Sequence, residues 1–146
     1  MSASASASLS DLLGLRRHAH SGSPLDLVSD LEKGLPLTAL ERITHTVAPD
    51  DAGFVHRLVP RATLARRRAQ PVPRLTADES ARVARLASVW ASAKDVWKSD
   101  EATRRWLFEP HMMLENRRPI DVVLGSEFGR PLVEGILGRL KHGTGA

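Results

Sequence analysis

The strongest constraint on the fold lies in residues 76–98, where the sequence predicts both the start and the length of a helix. Thr76 and Glu79 have the spacing of a capping box, in which each side chain accepts a hydrogen bond from the other residue's backbone amide. Apolar residues then recur at spacings of three and four, namely Val83, Leu86, Ala87, Trp90, Ala93 and Trp97. About 22 residues at about 1.5 Å each span roughly 33 Å, long enough to form the backbone of a small domain.

Prolines and glycines divide the rest of the chain into shorter segments with helical periodicity. The pattern predicts helices over Pro24–Lys33, Leu37–Val47, Ala52–Leu58, Arg61–Ala69 and Glu101–Phe108, a single turn over Ile120–Leu124, and a last helix. Asp100 is the expected N-cap of the helix over Glu101–Phe108, and Ser126 is the expected N-cap of the last helix. The last helix carries an apolar stripe of Val133, Ile136, Leu137 and Leu140. Because aromatic residues are only 4% and tyrosine is absent, a β-sandwich or barrel is disfavoured. We therefore predict an all-α chain of about seven helices.

Few residues offer enzymatic or metal chemistry. The chain has no cysteine, which excludes disulfides, thiolate metal sites and a cysteine nucleophile. It also lacks the glycine-rich phosphate loops and the zinc-protease and serine-hydrolase motifs. His18 and His20 have no third ligand nearby, and the other histidines are scattered singly along the chain. The sequence predicts no catalytic residue, metal site or cofactor.

The N-terminus is rich in serine and alanine, and we predict a flexible tail over residues 1–22 because such a segment buries too little apolar area to offset its ordering entropy. Arg16 and Arg17 follow the leucines rather than preceding them, which is the wrong order for a secretory signal. No apolar run reaches the roughly 18–20 residues of a membrane span. The expected location is the cytoplasm.

Basic charge is concentrated in one segment, although the net charge is only +4. Residues 52–77 contain six arginines and no acidic residue. The three predicted helices over residues 37–69 have the size and order of a helix-turn-helix unit. Its third helix carries the candidate DNA-binding residues Arg61, Thr63, Arg66, Arg67 and Arg68. From these residues alone, a DNA-binding module and a solvated basic face are equally supported.

Two prolines at 71 and 73 predict an extended link over residues 71–74, between a domain over 23–70 and a second domain over 75–146. The second domain concentrates large apolar side chains, namely Trp90, Trp97, Trp106, Phe108, Met112 and Met113. Core packing is the expected role of the tryptophans. A dimer or partner surface stays open, since a domain of about 70 residues rarely buries three tryptophans completely.

Several short motifs share their order with one known family. In the first half they are residues 34–36, 60–68 and 75–80, and in the second half residues 121–129, 132–134 and 137–143. The most specific elements are Pro-Ile-Asp at 119–121, Ser-Glu-x-Gly at 126–129 and Gly-Arg-x-x-His-Gly at 138–143. On these motifs, residues 34–146 resemble the Xre/MbcA/ParS antitoxin family.

The resemblance implies an Xre-like helix-turn-helix domain that binds operator DNA, followed by a domain that binds a RES-domain toxin. Such toxins consume NAD or transfer ADP-ribose, and the antitoxin's C-terminal end would lie near the mouth of the toxin's pocket. The candidate toxin-binding residues lie on the last helix or just before it, and are Glu127, Arg130, Glu134, Arg139, Lys141 and His142.

We therefore expect a type II antitoxin rather than an enzyme, one that neutralises its toxin by obstructing the active site and represses its own operon. It would act as a homodimer within a larger toxin–antitoxin complex. The alternative is a stand-alone helix-turn-helix regulator whose C-terminal domain only dimerises. A third interpretation, a basic structural or RNA-associated protein, predicts nucleic-acid binding without sequence preference.

Overall fold

The computed structural model describes residues 9–15 and 24–143. The α-helices in this part of the chain are α1 (Pro24–Lys33), α2 (Leu37–Val47), α3 (Arg61–Arg68), α4 (Ala77–Trp97), α5 (Asp100–Leu107), α6 (Pro119–Gly125) and α7 (Gly129–His142). Two 3-10 turns, Phe54–Arg57 and Met112–Leu114, lie between them. Over the described residues there is no β-strand, only two isolated bridges. The predicted all-α class is confirmed.

The chain divides into two compact units, Met1–Ala87 and Ser88–Ala146. In the first unit, α2 supplies the centre of the core, with Leu40, Ile43 and Val47 fully buried. Leu64 is the one buried residue of α3, so this helix docks through a single apolar side chain and keeps most of its surface in water. Residues 71–74 lie inside the first unit. A division of function at that link stays a prediction.

One predicted helix is wrong. Residues 52–58 form only the short 3-10 turn Phe54–Arg57. The Asp51 carboxylate accepts a hydrogen bond from the amide of Gly53 at 3.0 Å, which favours a turn over a regular first helical turn. Pro60 follows two residues after Leu58, so no room remains for α-helical propagation.

Two predicted helix starts are also wrong. Ser99, not Asp100, caps α5, since its hydroxyl accepts a hydrogen bond from the amide of Ala102 at 3.1 Å. The hydroxyl of Ser126 accepts a hydrogen bond from the amide of Phe128 in a turn, and α7 begins only at Gly129. A side chain at Gly129 would place its Cβ 2.0 Å from the carbonyl oxygen of Val122, so glycine is required where α7 meets α6.

Of the tail predicted to be flexible over residues 1–22, the structure describes residues 9–15. Residues 9–12 form a helical turn, Leu13 is 1% exposed, and Arg42 of α2 donates a hydrogen bond to the carbonyl of Asp11 at 3.4 Å. Complete burial of a leucine stabilises by about 1.5–3 kcal/mol, and this burial offsets part of the entropy cost of ordering the segment. The rest of the predicted tail lies outside the described residues.

The second unit has its core between the end of α4 and the helices that follow. Trp90 and Trp106 are buried, as expected for core tryptophans, whereas Trp97 is 36% exposed and lies 6.3 Å from the Trp106 ring. From α7 the buried residues include Val133, Ile136 and Leu137. Leu140, which the stripe assigned to the core, is 45% exposed. No helix in the described ranges is both long and apolar enough to cross a membrane.

Candidate functional sites

The basic helix α3 exposes most of its predicted binding residues. Pro60 has the extended conformation of an N-cap, with φ −55° and ψ 148°. Arg61, Arg66 and Arg68 are exposed, and Thr63 is half-buried. The Arg66 guanidinium lies 3.5 Å from the hydroxyl of Thr63. Guanidinium groups arranged along one exposed helix bind phosphate oxygens through paired hydrogen bonds.

Arg67 lies in a different environment. Its side chain is only 17% exposed and forms a two-pronged ion pair with Glu79 at the start of α4. One nitrogen also donates to the carbonyl of Arg74 at 3.3 Å. Arg67 therefore ties the basic helix to the start of α4, and its guanidinium is occupied by contacts within the first unit.

Glu79 takes part both in the ion pair with Arg67 and in the predicted capping box. Its carboxylate accepts from the amide of Thr76 at 2.9 Å, and its own amide donates to the Thr76 hydroxyl at 3.1 Å. Burial alone would raise the pKa of Glu79, but hydrogen bonds from Arg67 and Thr76 and the charge of Arg67 hold that pKa below its ordinary value of 4.5. The carboxylate is thus kept charged where α3 meets α4.

Further hydrogen bonds hold the segment before α4 in the first unit. Arg74 donates to the carbonyl of Gly34 at 2.9 Å, and the buried hydroxyl of Ser80 accepts from the amide of Leu35 at 2.9 Å. Gly34 has φ +93°, and a Cβ there would lie 2.2 Å from the Leu75 carbonyl oxygen. The chain turn before α2 and the start of α4 are therefore held in close backbone contact.

Arg68 also borders a cavity of about 400 Å³ in the first unit. Its lining carries both charge signs, since Glu41, His45 and Asp51 face the same space. Acidic groups there reduce the positive potential at that end of α3. In the part of the chain that the structure describes, no group of three or more histidine or acidic side chains is placed to hold a metal.

Three of the six candidate toxin-binding residues contact their own unit. Arg130 pairs with Glu134 at 3.0 Å on α7. The other oxygen of Glu134 accepts from the Ser88 hydroxyl at 2.6 Å. Lys141 forms an ion pair with Asp95 of α4, and hydrogen bonding and charge from Lys141 lower the pKa of Asp95. The contacts with Ser88 and Asp95 hold α7 on α4, whereas the ion pair of Arg130 with Glu134 lies within α7.

The other three candidates, Glu127, Arg139 and His142, are exposed on or beside α7. The same region exposes two large apolar side chains that the sequence analysis missed, Phe128 at 73% and Leu132 at 60%. The sequence signal that could have identified them is their i,i+4 spacing, because residues at that spacing share one helix face. That face lies outside the stripe of Val133, Ile136 and Leu137.

The Glu79 ion pair predicts a specific pH dependence of stability. A carboxyl whose folded pKa is lowered adds stability above its unfolded pKa, and that stability is lost as the pH falls through the folded value. We expect the free energy of unfolding of the first unit to decrease below about pH 4.5, and Glu79→Gln to reduce that decrease. All three tryptophans lie in the second unit, so helical circular dichroism of urea titrations at several pH values is the suitable measurement.

Glu115→Gln is the matched control, since Glu115 is exposed in the second unit. Its pH dependence should follow that of the wild type. Identical acid dependence in wild type and Glu79→Gln would mean that the ion pair does not stabilise the fold.

Comparison with known proteins agrees with this layout. Residues 26–88 match the model of the antitoxin Xre-like helix-turn-helix domain, and residues 92–143 match that of the antitoxin Xre/MbcA/ParS C-terminal toxin-binding domain. No curated protein matches the chain at a significant level. The two matches follow one another along most of the chain, in the order that the sequence motifs predicted. This chain therefore belongs to the Xre/MbcA/ParS antitoxin family, with a helix-turn-helix domain followed by a toxin-binding domain.

Proposed function

We propose that this protein is a type II antitoxin that binds a RES-domain toxin through its second unit and obstructs the toxin's active site. The observation that carries the proposal is the match of residues 92–143 to a toxin-binding domain of this family. In this proposal the toxin performs the chemistry, consuming NAD or transferring ADP-ribose. The antitoxin contributes binding only, and neither a catalytic residue nor a cofactor is assigned to it.

The first unit is proposed to bind operator DNA through α3. Support comes from the helix-turn-helix match over residues 26–88 and from the exposure of Arg61, Arg66 and Arg68. These arginines, with Thr63, would contact phosphates or guanine edges. Arg67 is assigned a positioning role instead, since its guanidinium is held by Glu79.

A DNA-binding unit and a toxin-binding unit on one chain fit autorepression of a shared operon in the cytoplasm. Helix-turn-helix proteins commonly dimerise to contact two half-sites about one helical turn apart, and a homodimer within a larger complex is therefore proposed. The match to a toxin-binding domain does not support the alternative, a stand-alone regulator.

The test is coexpression with the product of the neighbouring reading frame. Affinity purification through a tag on the antitoxin should recover a RES-domain protein that elutes together with it in size-exclusion chromatography. Cellular NAD should stay at the level of cells without the toxin. The matched control expresses the same toxin alone, and NAD should fall. Absence of a complex, with NAD falling equally in both cultures, would contradict the proposal.

A further inference from the structure

The exposed face of α7 bears an apolar stripe that its own unit does not use. Phe128 stands at the N-terminal cap of α7 and Leu132 lies one turn further along. They are 73% and 60% exposed. Residues at this spacing are neighbours on one helix face. Single exposed apolar residues are common, but a phenylalanine and a leucine side by side form a continuous apolar surface.

Gly135 extends this stripe by a further turn, and its own unit does not require a glycine there. A Cβ at position 135 would meet only the Arg139 guanidinium, at 3.9 Å. Gly135 lies inside α7 and is exposed. Glycine destabilises a helix interior relative to alanine. A glycine that costs helix stability without relieving a clash leaves space for the close approach of another chain.

The charged residues of α7 are poor candidates for the centre of an interface. Arg130 and Glu134 pair with each other, and Lys141 pairs with Asp95. A partner that engaged these side chains would compete with contacts that they already make within the unit. Interface centres are typically depleted in charge and rich in aromatic residues, with polar groups at the rim. Arg139 is exposed beyond Gly135, as expected for a rim residue.

We infer that Phe128, Leu132 and Gly135 form the contact surface for the toxin, with α7 seated in an apolar-walled cleft of that protein. This rests on the proposed function, and residues 119–142, which include α6 and α7, lie within the matched toxin-binding domain. A convex face of three residues is far smaller than the roughly 800 Å² per partner of a stable interface. A concave cleft can enclose the sides of the helix as well and add that area.

The experiment measures the affinity of purified full-length antitoxin for the neighbouring RES-domain toxin, inactivated in its catalytic site, by titration calorimetry. The Phe128→Ala/Leu132→Ala double variant should bind at least 100-fold more weakly. The matched control is Met112→Ala/Met113→Ala, which removes side chains that are 87% and 61% exposed in the same unit, and it should bind within threefold of wild type. Arg130→Ala should change the affinity less than tenfold.

Gly135→Ala separates an interface from a purely structural role. Added helix propensity should raise the melting temperature of the second unit, while the added methyl group should weaken toxin binding by tenfold or more. Opposite changes in stability and affinity are not expected of a residue that acts through folding alone. If Gly135→Ala raises the melting temperature and leaves the affinity unchanged, Gly135 does not contact the toxin.

The outcomes distinguish this inference from the proposed function. If wild-type antitoxin does not bind the toxin, the proposed function is wrong. If wild type binds and the double variant binds equally well, the proposed function stands and this surface is wrongly assigned. If light scattering shows that the double variant turns a dimer into a monomer with unchanged toxin affinity, the stripe is a self-association surface and the inference is overturned.

Discussion

An antitoxin with Arg61, Arg66 and Arg68 replaced by alanine is expected to bind its operator fragment at least 100-fold more weakly than wild type. Each guanidinium that neutralises a phosphate releases about one condensed counterion, and a guanine contact contributes about 1–3 kcal/mol of discrimination. The slope of log affinity against log salt concentration should therefore become shallower by about 0.9 for each phosphate that the variant no longer neutralises. Gel-shift titrations at several salt concentrations measure both quantities.

Arg67→Ala is the informative companion to that triple variant. Because the Arg67 guanidinium is held by Glu79, its removal should weaken DNA binding by loosening α3 while the salt slope stays near the wild-type value. Arg105→Ala/Arg117→Ala/Arg139→Ala removes three exposed arginines of the second unit and controls for the change in net charge. If the triple variant shifts the operator as well as wild type does, α3 is not the DNA-binding helix.

The separate role of Arg67 marks the limit of sequence reasoning about α3. The capping box of Thr76 and Glu79 could be predicted because both partners lie within one turn. The ion pair of Arg67 with Glu79 joins two helices across the 71–74 link, and the periodicity within either helix does not predict it. The helix α1 shows the same limit. Its bounds agree with the sequence pattern, yet its apolar residues Leu25 and Val28 are exposed.

Some of the contacts of α7 could have been predicted from residue spacing within the helix, and others could not. Arg130 and Glu134 stand at i,i+4, a spacing at which opposite charges pair on a helix, and this pairing could have been predicted. The contacts of Lys141 with Asp95 and of Glu134 with Ser88 join α7 to α4 across the second unit and depend on the tertiary fold. Likewise, Leu13 is buried although its flanking sequence is typical of a disordered tail.

A chain that ends at Arg130 is expected to lose all ability to rescue cells from the toxin. This truncation removes Val133, Ile136 and Leu137, which are buried in the second unit. Burial of each such side chain stabilises by about 1.5–3 kcal/mol, so removing all three approaches the total stability of about 5–15 kcal/mol typical of a domain. The apolar stripe beyond Phe128 is removed at the same time, and growth under toxin expression reports the combined effect.

The first unit should survive this truncation, because α3 is held by Leu64 and by the ion pair of Arg67 with Glu79, all within residues that remain. The truncated chain should therefore keep measurable operator affinity, reduced where dimerisation contributes. A chain that ends at Gly143 retains all of α7 and is the matched control, expected to rescue growth fully. Full rescue by the chain that ends at Arg130 would instead place neutralisation outside α7, with the long helix α4 as the next surface to test.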